Sequence, residues 1–401
     1  MSSSAEAVSP RPGWRKWSAW FVALLWALMV VGVLVRVVRE PTKSTVFPTY
    51  LVAGERWLRA EPLYPTLRGF IYSPLIAALI APFTFLPKVP GSVVWRLLNL
   101  AAYLGATAAW LRRGVSHVPE NLWPWVFLAM LPLSIGNLNN GQLNPAMIAA
   151  IMAALLAARA ERWMLAAFAI GLVTYLKVYP LAAGLLLAVL YPRKLGWRLP
   201  LALLVLGLVS LVLQNPRYVL EQYQAWFATR TADQRHVDPA DAPRDLWMLL
   251  HACGLDLDLR VYLVVQMLGG AAIAAFLFVG QRRGWNGDRL LTALLALVCC
   301  WMLLLGPAPE SATYIILAPI LSCGLVKAFA GRHPVWMRCL AATPLLLLLS
   351  IQLITIYGSP RDPLHMSISP LAALIFCAFA VAWVCRSSLW PEAAAPDNLK
   401  I

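Results

Sequence analysis

Long apolar runs separated by short polar loops dominate the chain, and two of them, FVALLWALMVVGVLV and LAALIFCAFAVAWV, carry no charge at all. A helix needs about 20 apolar residues to cross a bilayer. The runs are apolar on every face rather than alternating, so they read as helices and not as barrel strands. The pattern therefore predicts an all-α, polytopic integral membrane protein with about 10–12 transmembrane helices. In the C-terminal half the runs predict spans near 199–214, 259–280, 290–306, 312–328, 339–357 and 368–385. In the N-terminal half a first span from Trp17 to Val38 precedes runs near 72–87, 91–111, 122–136, 143–158 and 164–190. The last is long and contains Lys177 and Pro180, as one tilted helix or a broken one.

Charge sets the orientation. The loops 191–198, 281–289 and 327–338 are basic through Arg193, Lys194, Arg198, Arg282, Arg283, Arg289, Lys327, Arg332 and Arg338. They alternate with loops poor in Lys and Arg, so the basic ones are cytoplasmic and 215–258, 306–312 and 358–367 lie outside. One pass per run, about twelve in all, leaves Arg112 and Arg113 on the outer side, against that rule. A re-entrant 72–87 segment with a broken 164–190 run removes the conflict, and the sequence leaves both arrangements open. Arg11, Arg15 and Lys16 precede a first apolar stretch too long for a cleaved signal peptide, which predicts a retained first span with the N-terminus inside.

Two outer segments, 39–71 and 215–258, are long enough for structure of their own. Within PTYLVAGERWLRA, Tyr50, Ala53, Trp57 and Leu58 share one helical face, with Glu55 and Arg59 opposite. Within RYVLEQYQAWFATR, Val219, Tyr223, Trp226 and Phe227 share a face. Both read as helices lying in the outer membrane interface. Residues 1–386 form a single membrane-embedded domain in this reading, and 387–401 a short polar, disordered tail.

Composition sharpens this picture. Hydrophobic residues make up 61% of the 401 positions and charged ones only 13%, against about 25% charged in soluble domains. The net charge of +15 sits mainly in short loops, so it reports topology and not nucleic-acid binding. None of the seven cysteines has metal-ligand spacing, and the Cys299-Cys300 pair reads as lipid-facing packing. Asp256 and Asp258 read as a solvated loop end rather than a metal site, and His236 and His251 as surface residues.

Polar groups at membrane depth are costly and mark function. Three clusters break the apolar rule: NLNNGQLN at 137–144, TYLKVYP at 174–180 and GPAPESATY at 306–314. Each also has a plainer reading, as a polar turn, a snorkelling lysine and a helix N-terminal acid respectively. The outer segment adds Arg39, Lys43, Arg56, Arg59 and Arg68 with Glu40, Glu55 and Glu61. So many cations outside suit a lipid phosphate.

The order FPTYLVAGERWLRAEPLY, FIYSPLIAALIAPFTFLP, NNGQLNPAMIAA, YLKVYPLAAGLLL, GPAPESATYIILAP resembles the family 87 glycosyltransferases of the GT-C superfamily, over roughly residues 15–330. A relative of known type is the mycobacterial phosphatidylinositol-mannoside mannosyltransferase. The resemblance implies a GT-C-like fold and a hexosyl, or mannosyl, transfer. The donor would be a polyprenyl-phosphate-linked sugar, and the acceptor a glycolipid or cell-envelope glycan. The reaction would take place among membrane lipids at the outer face of the cytoplasmic membrane, without a cofactor. Family members carry a catalytic Asp four residues before a Tyr in the first outer segment; counting back from Tyr50 lands on Val46.

Either another carboxylate serves, the outer candidates being Glu310, Glu40 and Glu55, or the chain has lost or changed activity. Candidate substrate-binding residues are Arg39, Lys43, Arg56, Arg59, Tyr72, Asn140, Gln142, Asn144, Lys177 and Tyr314. Such a transfer needs one base and several cations, since the departing phosphate is already a stable anion. The alternatives are a transporter or flippase for lipid-linked sugars, against which the lack of an evident internal repeat counts, and an inactive membrane scaffold descended from the enzyme.

Overall fold

In a computed structural model, residues 12–43, 45–67, 69–232, 236, 242–331, 333–357, 362–386 and 390 are described. Arg11, Arg68, Arg332 and most of the tail from Ser387 lie outside them. The described residues form helices and no strand. Among the described residues, seven helical stretches are long and apolar enough to cross a membrane, and four shorter apolar helices accompany them. The protein is a multi-pass membrane protein.

Helix α1 (Pro12–Arg39) leads to α2 (Phe47–Arg59), and α3 (Pro74–Ile80) continues into a 3-10 turn, Ala81–Phe85. Then follow α4 (Lys88–Arg112), α5 (Trp123–Asn140), α6 (Asn144–Arg159), α7 (Trp163–Leu176), α8 (Leu181–Leu190), the single turn α9 (Pro192–Leu195) and α10 (Arg198–Leu213). Two helices of the 215–258 segment, α11 (Pro216–Thr231) and α12 (Leu246–Ala252), precede α13 (Leu259–Arg282) and α14 (Gly287–Leu304). The chain finishes with a 3-10 turn, Ser311–Leu317, running into α15 (Ala318–Ala330), then α16 (Val335–Tyr357) and α17 (Pro363–Cys385).

Polar contacts define the two ends of the bundle. At the basic end Arg159 forks onto Asp288, with Nε 2.6 Å and Nη2 3.1 Å from its two oxygens. Lys327 donates to the His117 carbonyl (3.1 Å), Gln281 to the Leu190 carbonyl (3.0 Å) and Arg289 to the Val384 carbonyl (2.6 Å). The turn after Arg112 and Arg113 therefore sits with the other basic loops. The conflict in the one-pass-per-run count disappears because α3 and its 3-10 extension both pack on α2 and turn back. Gly54 permits this approach: a Cβ there would stand 2.9 Å from Thr84 Cγ2 and 3.1 Å from Ala81 Cα. The 164–190 run is broken, with α7 and α8 forming an inverted V whose apex, residues 177–180, is at the other end.

At about 1.5 Å per residue, α7 spans roughly 21 Å and α8 roughly 15 Å, both short of the hydrocarbon thickness. Irregular backbone at such depth persists only where protein or a polar cavity surrounds it.

Burial separates a central layer from a rim. α14 is buried over 78% of its apolar window and α13 over only 11%. Cys299 and Cys300, expected to face lipid, are thus within the protein core, 0% and 1% exposed, because α14 is covered on all sides. The two helices expected to lie in the membrane interface also differ from expectation. Tyr50, Ala53 and Trp57 of α2 are buried, as are Val219 and Trp226 of α11, yet Leu58 and Phe227 are exposed. The buried faces rest on protein: Trp226 donates to the Ile71 carbonyl (3.0 Å) and Tyr218 to the Glu61 carbonyl (2.7 Å). Of the tail, Trp390 is described: it is buried, 5.9 Å from Trp383 and 5.6 Å from His117, ring to ring.

Candidate active site

The end opposite the basic loops is organised around the turn between α5 and α6. Gly141 closes α5 with φ +73°, donating to the Asn137 carbonyl at 2.8 Å. The two carbonyls before Asn140 point to Arg96 of α4, which is 3% exposed. Its Nε donates to Leu138 O (2.8 Å) and its Nη2 to Asn139 O (2.8 Å) and Thr45 Oγ1 (2.9 Å), while Nη1 reaches the Ser92 hydroxyl. Trp95 Nε1 donates to Gly141 O (2.8 Å). The Asn140 carbonyl receives the Val46 N–H (2.9 Å) and the Thr45 hydroxyl (3.0 Å), which ties the start of α2 to the same turn. Arg96 was no sequence candidate, yet a charge inside the apolar run VVWRLLNLAAYL is the signal that could have found it.

From this turn a chain of side chains runs across the bundle. Lys177 Nζ donates to Asn144 Oδ1 (2.9 Å), Asn144 Nδ2 to Gln142 Oε1 (2.6 Å) and Gln142 Nε2 to Glu310 Oε2 (3.1 Å). The chemistry of its ends dictates the orientation of both amides, since ammonium only donates and carboxylate only accepts. Asn144 is wholly buried and Gln142 8% exposed, while Glu310 is exposed at the N-terminal end of its 3-10 turn. The Glu310 N–H donates to Thr313 Oγ1 (3.0 Å). Asn137 and Asn144 both donate to Ala312 O, at 2.7 and 3.2 Å, which locks the Asn-rich turn to the Glu310 loop. All three polar clusters of the sequence thus meet in one place.

Two tyrosines bring the 39–71 segment there as well. Tyr50 of α2 and Tyr72 share a hydrogen bond of 2.8 Å, and Tyr64 donates to the Tyr72 carbonyl at 2.6 Å. Burial first, then Tyr72 and Glu310, hold the Tyr50 phenol well above its ordinary range, so it stays a neutral hydroxyl. Lys177 lies 5.6 Å from the Tyr179 ring centre. Tyr314 donates to the Arg244 carbonyl (2.7 Å), and the Arg244 N–H to Pro309 O (2.8 Å), so the 215–258 segment is tied to the Glu310 loop.

The cations of the first segment are arranged differently. Glu40 and Lys43 pair with each other at 3.0 Å, both well exposed. Arg39, Glu55 and Arg59 are exposed, the last two on the side of α2 away from the buried Tyr50 and Trp57. Arg56 lies where its charge acts on Tyr218 of α11. Of the three candidate carboxylates, Glu310 is the one bonded into the amide chain.

Among the other groups singled out by sequence, His236 is not a surface residue. Its Nε2 is 3.0 Å from a carboxylate oxygen of Asp245, which is 0% exposed, and its ring packs against Trp247 and Tyr262. His251 stacks on Trp247 and bonds Asp256, and Asp258 caps α13 by accepting from the Arg260 N–H (2.7 Å). Asp256 and Asp258 are thereby engaged in local structure.

A cavity of about 690 Å³ opens between α5, α15 and α16, lined by apolar side chains including Leu128, Pro132, Val326, Phe329 and Leu345. A smaller, more polar recess is lined by Leu133 of α5, Ser311 and Tyr314 of the 3-10 turn that follows Glu310, Leu348 and Gln352 of α16 and Ser369 of α17.

No curated protein matches the chain. The model of glycosyltransferase family 87 matches residues 70–307, more than half of the sequence. The matched stretch contains Tyr72, Arg96, the Asn-rich turn, Lys177 and Arg244, and the protein accordingly belongs to glycosyltransferase family 87.

Proposed function

We propose that this glycosyltransferase moves a hexosyl group, of the mannosyl type, from a polyprenyl-phosphate donor to a glycolipid or envelope-glycan acceptor, with Glu310 as the base. The observation that carries the reading is the hydrogen bond from Gln142 to Glu310, which ends a buried chain starting at Lys177. A base must be accessible and held in one place. Glu310 is exposed, and its orientation is set by buried amides.

In the transfer, Glu310 takes the proton of the acceptor hydroxyl as its oxygen attacks the anomeric carbon. The bond from that carbon to the phosphate oxygen breaks, and the electron pair leaves with the polyprenyl phosphate. The leaving group is a stable anion, so a second carboxyl acting as acid is not required, in contrast to glycosidases. The hydrogen-bonded pair of Tyr50 and Tyr72 supplies hydroxyls for sugar binding. The apolar cavity between α5, α15 and α16 has the character of a place for an isoprenoid chain. The basic end lies on the cytoplasmic side by the distribution of Lys and Arg, which directs Glu310 outward across the cytoplasmic membrane.

The test is transfer by the purified protein in detergent, supplied with a decaprenyl-phosphate hexose or with the matching nucleotide sugar. The reading expects product from the lipid donor, and Glu310→Gln to abolish it. Product from the nucleotide sugar alone, or full turnover by the Gln variant, would reject it. Glycolipid profiling of a deletion strain should show the acceptor accumulating.

A further inference from the structure

The polyprenyl-phosphate reading, on which this inference rests, brings an anionic phosphate close to the carboxylate that serves as base. A cation between the two is needed to offset their repulsion and to stabilise the charge that builds on the leaving oxygen. Arg39, Lys43 and Arg59 are exposed on the first outer segment, and Lys177 donates to Asn144 at the far end of the amide chain. We propose that Arg244, on the second outer segment, binds the phosphate of the donor lipid.

Its backbone is fastened on both sides of Glu310. The Arg244 N–H donates to Pro309 O at 2.8 Å, one residue before the carboxylate, and its carbonyl accepts from Tyr314 Oη at 2.7 Å, four residues after. The residue is half-buried, and Glu310 and Tyr314 both act on its charge. Burial pushes the guanidinium down from its ordinary value, with Tyr314 and Glu310 opposing, and it remains a cation.

The following residue acts as the anchor. Asp245 is fully buried, caps α12 by accepting from the Met248 N–H (3.1 Å) and pairs with His236 (3.0 Å). Arg244 is therefore held by rigid structure. The planar fork of a guanidinium matches two phosphate oxygens, which suits this position better than the point charge of a lysine. The sugar on that phosphate would then lie between Arg244 and the Tyr50–Tyr72 pair, with its anomeric carbon toward Glu310.

The experiment uses the full-length protein in detergent and reads tryptophan fluorescence on titration with farnesyl phosphate, farnesol or inorganic phosphate. Wild type should bind farnesyl phosphate well above both farnesol and inorganic phosphate. In Arg244→Gln that preference should fall roughly 10–100-fold with farnesol binding unchanged, the range for a charge-assisted hydrogen bond lost. Farnesyl phosphate bound equally by wild type and Arg244→Gln would overturn the assignment of Arg244 and leave the donor class standing. A wild type that does not distinguish farnesyl phosphate from farnesol would overturn the polyprenyl-phosphate reading itself, and equal binding of inorganic phosphate would make this a free-phosphate site. Should the Gln variant not fold, phenylglyoxal labelling of wild type decides. Farnesyl phosphate, but not farnesol, should protect the Arg244 peptide in mass spectra; unchanged labelling would count against the proposal.

Discussion

Gln142 and Glu310, 168 positions apart in the chain, are joined by a hydrogen bond of 3.1 Å. The amide that makes it has its oxygen held by Asn144, whose own oxygen is held by Lys177. Because each amide can satisfy the chain in one orientation only, the lysine at one end determines which atom faces the carboxylate at the other. Charge-assisted hydrogen bonds contribute about 1.5–3 kcal/mol. Gln142→Leu should therefore slow transfer roughly 10–100-fold, and Lys177→Met should do so by a comparable factor while also lowering the thermal midpoint, because it leaves the buried Asn144 oxygen without its donor at about 1–3 kcal/mol. Steady-state kinetics of the two variants and of the double variant test this. Effects that simply multiply would show that the residues act independently.

Gly141 has a left-handed backbone, and a Cβ on it would stand 3.1 Å from both Cζ and Nη2 of Arg96. Gly141→Ala should destabilise the protein by about 1–3 kcal/mol, read as a lower melting midpoint in detergent. An unchanged midpoint would mean that the turn relaxes freely.

Arg96 holds acceptors from α4, from the α5–α6 turn and from Thr45. Replacing it by Met leaves several buried oxygens without a donor, at about 1–3 kcal/mol each. The expected outcome is strong destabilisation together with loss of transfer, since the turn bearing Gln142 and Asn144 loses its support. A fully active, equally stable variant would remove Arg96 from the account of the site.

His117, in the turn at the basic end, is pushed below its ordinary value by burial; Asp288 opposes this, while Lys327 and Arg159 reinforce it. In the unfolded chain the same imidazole titrates at about 6.5. Between the lowered folded value and that pH the unfolded state binds more protons, so stability falls as the medium is acidified through the window. The melting midpoint should rise with pH up to about 6.5 and then level, and His117→Gln should flatten the rise. A slope unaffected by the substitution would assign it to other groups.

Much of the fold was legible along the chain because a bilayer imposes a one-dimensional rule. Apolar length makes a span, so the six spans of the C-terminal half could be read directly. The three polar clusters were legible for the same reason, since polarity at depth is expensive enough to be noticed. Sequence alone did not determine that 72–87 turns back on α2 or that 164–190 folds into a V. Both depend on close contacts between distant elements, such as Gly54 against Ala81 and Thr84. Nor could it rank Glu310 over Glu40 and Glu55, because all three are ordinary carboxylates until Gln142 bonds one of them. Arg244 and Asp245 came from a loop whose composition looked like solvent-facing surface, and burial against Pro309 and Tyr314 is a property of the tertiary structure only. The membrane's cost for polar groups acts residue by residue and is written in the sequence; which polar groups satisfy one another is decided when the helices pack.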